Sequence, residues 1–261
     1  MPAKADRPKP GSLLGRMLAN TAWLLGGKGF GAVCSLVYLA ILARSLGLKD
    51  FGHFSLIFAS AQALIAFVGF ETDMVEAHLA GISDPRVEIV THFNPFYQVA
   101  DNLGSCWIVR DRMEAGDFLI LNGDTLVSEE IVGRVLQGSD WPIAVTVDVK
   151  DEYDSDDMKV ERAGERLVRI GKTLTAEQAN AESIGFLAFR GEGASLFREA
   201  VRRAMRTPEG VNHWYLKVID TLAESGKVGT VSIAGSDWAE VDFLTDIEQA
   251  NALTGRWALE A

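Results

Sequence analysis

Hydrophobic positions fall into two unlike patterns along the chain. Leu18 to Ala43 is largely apolar, interrupted by Lys28 and rich in Gly, Ala and Ser. After the charged link RSLGLKDFGH, the run FSLIFASAQALIAFVGF holds 17 residues without a charge. A membrane span needs about 20 apolar residues, so both runs sit near the lower limit and predict a helical membrane hairpin over residues 18–70. A buried helical hairpin is the alternative at that length. Residues 1–17 read as a basic, Pro-containing disordered tail and residues 71–86 as a linker. Lys4, Arg7, Lys9 and Arg16 precede the first run. Their bias predicts an N-terminus on the cytoplasmic face of the membrane, to which two spans would return the chain. A cleavable signal peptide fits poorly, because the apolar region is too long and a second run follows.

From residue 87 to 261 the pattern changes to short apolar strands alternating with amphipathic helices. VEIVTHF, FLILNG, PIAVTVDV, SIGFLAFRG and GTVSIAG read as strands. MKVERAGERLVRIGK reads as two strands around the turn AGE. Between them, DNLGSCWIVRDRME, SEEIVGRVLQG, ASLFREAVRRAMR, WYLKVIDTLAESG and LTDIEQANALTG read as helices. Asp101 or Asn102 is able to cap the first of these, and Gly226 stops the fourth. Such alternation predicts an α/β fold with a mostly parallel sheet covered on both faces.

Charge sharpens the division. Residues 1–70 carry seven Lys or Arg and two acidic residues, whereas the remainder carries 18 basic and 34 acidic ones. So acidic a second part argues against nucleic acid as its partner, since phosphate backbones need basic surface. Cys34 and Cys106 lie in different parts and make no disulfide framework.

Candidate chemistry begins at FLILNGDTL, residues 118–126. Its Asn122–Gly123 pair suits a hairpin turn. It equally suits an open sheet, where ligands bind beyond the carboxyl ends of the strands, and there Asp124 would face the crevice. A second carboxylate, Asp242 in WAEVDFLTDIEQA, again follows a short apolar strand and precedes a helix. Two carboxylates from separate loops, without a His or Cys cluster, suit a hard oxygen-liking ion such as magnesium. Each Asp taken alone reads equally as a helix cap or turn residue.

From Val87 to about Leu253 the chain resembles the nucleotidyltransferases that activate sugar phosphates and alcohol phosphates. It looks closest to the branch of phosphocholine and inositol-phosphate cytidylyltransferases. The carrying motifs are NPFYQVADNLGSCWIVR, FLILNGDTL, DSDDMKV, RIGKTL, AESIGFLAF and WAEVDFLTDIEQA. The resemblance implies a Rossmann-like (GT-A-like) nucleotidyltransferase domain with a mixed, mostly parallel sheet, which takes a nucleoside triphosphate and a phosphorylated sugar or alcohol. Asp124 and Asp242 would hold magnesium, with Asn102 and Gly123 beside Asp124 near the nucleotide. Lys159 and Lys172 would face the phosphorylated acceptor, and Glu182 and Gly185 would line its pocket. Either lysine reads equally as a solvated strand-edge charge. His213 and Trp214 read as core packing in preference to substrate rim.

The family opens with a strand and a Gly-rich loop that cradles the nucleotide phosphates. No such string is present: GGKGFG, residues 26–31, sits inside the first apolar run. The domain is therefore expected to be incomplete, starting at the family's third strand. Residues 18–70 instead resemble the first two membrane helices of polysaccharide flippases, most clearly in LARSLGLKDFGHFS. Such transporters need on the order of a dozen spans around a midplane site, so two helices would serve only as an anchor or a fused fragment. The expectations are thus a membrane-attached nucleotidyltransferase for surface polysaccharide or lipid head groups, an inactive truncated relative, or a flippase fragment with a fused tail.

Overall fold

A computed structural model describes residues 57–60, 63–69, 71–82, 88–137, 139–243 and 245–260. The strands are β1 (Ile57–Ser60), β2 (Ala63–Val68), β3 (Glu88–Phe93), β4 (Phe118–Leu121), β5 (Thr125–Val127), β6 (Ile143–Asp148), β7 (Lys159–Ala163), β8 (Arg166–Ile170), β9 (Ala181–Phe189), β10 (Val228–Ser232) and β11 (Trp238–Glu240). The helices are α1 (Thr72–Ala80), α2 (Leu103–Ile108), α3 (Glu129–Gln137), α4 (Glu192–Ala204), α5 (Tyr215–Ala223) and α6 (Asp246–Glu260). Nine strands form one sheet in the order β3-β2-β1-β4-β9-β6-β10-β8-β7, and β11 pairs with β5 in a separate two-stranded ribbon.

Two apolar cores lie on opposite faces of the sheet. Ile65 and Phe67 join Ile120, Val145 and Leu187 in one core, beneath Leu103 and Cys106 of α2, Phe197 of α4 and Ile219 of α5. Leu64, Ala66 and Val68 join Leu121, Ala144 and Phe186 in the other, with Val75 of α1, Ile131 of α3 and Ala250 of α6. Alternate residues of one strand thus enter different cores, as the two-residue period of an extended chain requires. The helices expected from the amphipathic pattern supply both outer layers.

Three expectations are corrected. The second apolar run forms β1 and β2, not a membrane helix, and Leu64 to Val68 are all at most 4% exposed. Strands covered on both faces are apolar throughout, so a short run of this kind cannot be told from a buried helix by its period. Among the described residues no helix is long and apolar enough to cross a membrane. This overturns placement on the cytoplasmic membrane face by two N-terminal helices; the first expected span, within residues 18–43, lies outside the described residues.

The sheet is mixed, as the family resemblance implies, but its pairing is mostly antiparallel, not mostly parallel. Only β2–β3 and β6–β10 pair in parallel, although β2, β3, β4, β6, β7 and β10 all point the same way. The antiparallel β9 runs between β4 and β6 and breaks the parallel pairing. Finally, the sheet does not start at residue 87. β1 fills the position beside β4, and α1 lies within the expected linker. β1 is antiparallel to β4, with Ile57 opposite Leu121 and Ser60 opposite Phe118. Its carboxyl end is therefore at the edge of the sheet remote from Asp124.

Candidate active site

Asn122–Gly123 does not fold β4 back as a hairpin; it carries the chain from the main sheet into the ribbon. The Asn122 N–H donates to the Gly185 carbonyl at 2.9 Å, and the Thr125 hydroxyl donates to the Ile184 carbonyl at 3.1 Å. Gly185 has φ +72°, and a Cβ there would lie 2.3 Å from Asn122 Nδ2. Only glycine meets both demands, a left-handed backbone and room for the Asn122 side chain. Tyr215, fully buried at the start of α5, donates its hydroxyl to Asn122 Oδ1 at 2.9 Å. The loop bearing Asp124 is thus held from β9 on one side and α5 on the other.

The ribbon delivers the other carboxylates. Glu240 pairs with Thr125, and the Val241 N–H donates to the Asp124 carbonyl at 3.0 Å. Carboxylate oxygens of Asp124, Glu240 and Asp242 lie within 4.8 Å of one another. Asp242 is steadied by Asp246 at the start of α6, whose Oδ2 accepts its N–H at 3.1 Å. Burial, then the Asp242 charge, pushes the Asp124 carboxyl up to about 7. Burial, then Asp124 and Asp242, pushes Glu240 up to about 8, and the Lys172 charge opposes this. Asp242 is raised too, by burial and then Asp246. Glu240 and Asp242 are exposed to solvent, yet protein crowds their carboxyls enough to disfavour charge.

Three gathered carboxylates repel one another unless protons or a cation intervene. An all-oxygen donor set, open to solvent on one side, fits a hard divalent ion such as magnesium. Of the three, Glu240 escaped the sequence reading. The signal was its position two residues before Asp242, which in an extended chain places both on one face.

The remaining predicted residues have differing partners. Lys159 is 4% exposed, and its Nζ donates to the Lys172 carbonyl at 3.3 Å. Lys172 Nζ lies 4.9 Å from the centroid of the Trp214 ring. Glu182, on β9, accepts from Lys150 Nζ at 2.7 Å, and Lys150 also pairs with Asp157 at 2.9 Å. Burial still pushes Glu182 up to about 7, with Lys150 working against it. Asn102 makes no cap on its own helix; its Oδ1 accepts the Tyr215 N–H at 2.9 Å and fixes the start of α5. Gly123 connects Asn122 to Asp124 within the held loop. Trp214, expected in the core, is 39% exposed at the rim. Lys150 and Tyr215 were missed; a lysine and an aromatic in strand and helix segments carry no local signal of a site.

No protein-family model matches the sequence, and no curated protein does. Solved structures do. The inositol-1-phosphate CTP transferase from T. maritima superposes with TM-score 0.58 at 18% identity, over 73% of this chain and 75% of that one. A putative glucose-1-phosphate thymidylyltransferase from Bacillus anthracis gives 0.58 at 12% identity, over 73% and 75%. CTP:phosphocholine cytidylyltransferase from Streptococcus pneumoniae gives 0.57 at 12% identity, over 82% of each chain. Residues 57–60 and 63–68 being strands of this sheet, the flippase likeness has no structural support. At such identities the likeness is one of fold: the described chain has the mixed α/β fold of nucleotidyltransferases that act on sugar and alcohol phosphates.

Proposed function

We propose that this protein transfers a nucleotidyl group, CMP in the first instance, from a nucleoside triphosphate to a sugar or alcohol phosphate. An acceptor phosphate oxygen attacks the α-phosphorus, the bond to the bridging oxygen of the β-phosphate breaks, and pyrophosphate leaves. The observation that carries this reading is the convergence of Asp124, Glu240 and Asp242 beyond the carboxyl end of β4. Magnesium held by Asp124 and Asp242, with Glu240 adjoining, would neutralise phosphate charge there. The chain's own residues position the reactants, which is most of the catalytic task in phosphoryl chemistry. Lys172 offers a cation beside the carboxylates for the acceptor phosphate, and Gly185 admits the Asn122 side chain that holds the loop carrying Gly123 and Asp124. Products of this kind feed surface-polysaccharide or lipid head-group assembly.

The test is magnesium-dependent pyrophosphate release from CTP plus choline phosphate, inositol phosphate or glucose 1-phosphate. Asp124→Asn is expected to lower turnover by about 100-fold or more while the fold persists. No turnover and no nucleotide binding across the common triphosphates would sink the reading.

One observation favours a second reading. Because β1 runs antiparallel to β4, its carboxyl end points away from Asp124, and among the described residues β1 carries no Gly-rich phosphate cradle on that side. A domain of that construction would bind metal and nucleotide without turning them over. Calorimetric binding of magnesium–CTP in the absence of pyrophosphate release would select this alternative.

A further inference from the structure

Lys172 has a partner at its carbonyl and another at its ammonium. Its carbonyl accepts from Lys159 Nζ at 3.3 Å, and Lys159 is almost wholly buried. Its own segment is tied to β7, for the Gly171 N–H donates to the Lys159 carbonyl at 2.9 Å. Its ammonium lies 4.9 Å from the Trp214 ring centroid, inside the range of about 6 Å over which an aromatic face attracts a cation. Trp214 is fixed in turn: it is the extended residue before α5, with φ −71° and ψ 149°, and its carbonyl accepts the Lys217 N–H at 2.9 Å. The next residue, Tyr215, is held by Asn102. A large aromatic left 39% exposed beside a charged site is poorly explained as packing.

A flexible ammonium next to Glu240 and Asp242 would ordinarily collapse onto one of them. Among the described residues it forms no ion pair with either, and rests on the ring instead. We propose that Lys159 and Trp214 are positioning residues that clamp Lys172 by its carbonyl and its ammonium, holding its charge ready for the acceptor phosphate and away from the acidic cluster. This rests on the proposed transfer only for the identity of the ligand; the clamp itself is a property of the free protein. Aromatic stacking keeps an ammonium in place without neutralising it, so the charge stays available to an incoming anion. A carboxylate partner would instead have to be displaced at each binding event.

The experiment reads the clamp without turnover. Reductive methylation with ¹³C-formaldehyde turns each lysine ammonium into a dimethylammonium that is still cationic and visible by NMR. The Lys172 signal, identified by its absence in Lys172→Arg, is expected upfield of the other lysines because of the Trp214 ring current. In Trp214→Leu it should return to the common position, and in Trp214→Phe it should remain partly shifted. A Lys172 signal at the same position in wild type and Trp214→Leu would overturn the clamp. The kinetic arm uses unmethylated protein: Trp214→Leu should raise the KM for the acceptor phosphate about five-fold and leave the KM for CTP unchanged, with Trp214→Phe recovering most of the loss. Equal rises in both KM values would also overturn it. A wild-type protein without turnover but with the shifted signal would remove the transferase reading and leave the clamp standing.

Discussion

Asp124 carries the clearest consequence at the scale of single residues. Burial and the Asp242 charge raise its carboxyl from 3.8 to about 7. A carboxyl whose folded-state pKa exceeds its unfolded value binds its proton more tightly when native. Its ionisation therefore costs nothing below its unfolded pKa, and weakens the fold increasingly as pH rises towards about 7. Asp124→Asn keeps the shape and removes that cost. In metal-free urea titrations the variant should gain roughly 1–3 kcal/mol at about pH 8 and nothing at about pH 4. An equal effect at both pH values would place its cause outside ionisation. Magnesium should reverse the order. A cation that binds only the native state stabilises it by mass action, so the wild-type Tm should rise with magnesium and that of Asp124→Asn should not. Because a bound cation must displace protons from Glu240 and Asp124, magnesium affinity should weaken as pH falls below about 8, and more steeply below about 7.

Between elements, the site depends on how β9 receives the loop after β4. Gly185 interrupts the regular pairing of β9 with β6, whose register shifts between Val145 and Val147. Its left-handed backbone and missing Cβ admit Asn122, which Tyr215 then holds. Gly185→Ala should cost about 2–4 kcal/mol in urea unfolding and weaken magnesium binding as well. Loss of stability with unchanged magnesium affinity would separate Gly185 from the placement of Asp124. Elements with strong local patterns were legible in the sequence: the apolar IAVTVD of β6, and the amphipathic α4, follow directly from period and propensity. The β5–β11 ribbon was not. Its strands have three residues each and find each other more than a hundred positions apart, so their pairing exists only in the folded chain. Asn102 shows the same limit, for its cap serves a helix that begins at Tyr215, which no local rule connects to it.

For the molecule as a whole, β1 and β2 decide where the domain begins. β1 is hydrogen-bonded to β2 on one side and β4 on the other, so it alone joins β3 and β2 to the rest of the main sheet. The sequence misleads here for a physical reason: a run buried on both faces has lost the alternation that distinguishes strand from helix. Burial of Ile65 and Phe67 in the same core as Ile120 and Leu187 makes the strand reading quantitative. Phe67 is 1% exposed, and its ring stacks towards His92 on β3 at 6.4 Å. Phe67→Ala should therefore cost about 3–5 kcal/mol of global stability in urea. Phe93→Ala, at a position 52% exposed on the neighbouring strand, should change stability by less than about 0.5 kcal/mol. The contrast separates the two architectures. In a helical hairpin outside the domain, Phe67 would touch nothing in the core, and its truncation would leave the unfolding of the transferase-like part unchanged. A Phe67→Ala protein as stable as wild type would detach β2 from the sheet, and with it β3, which among the described strands pairs with β2 alone.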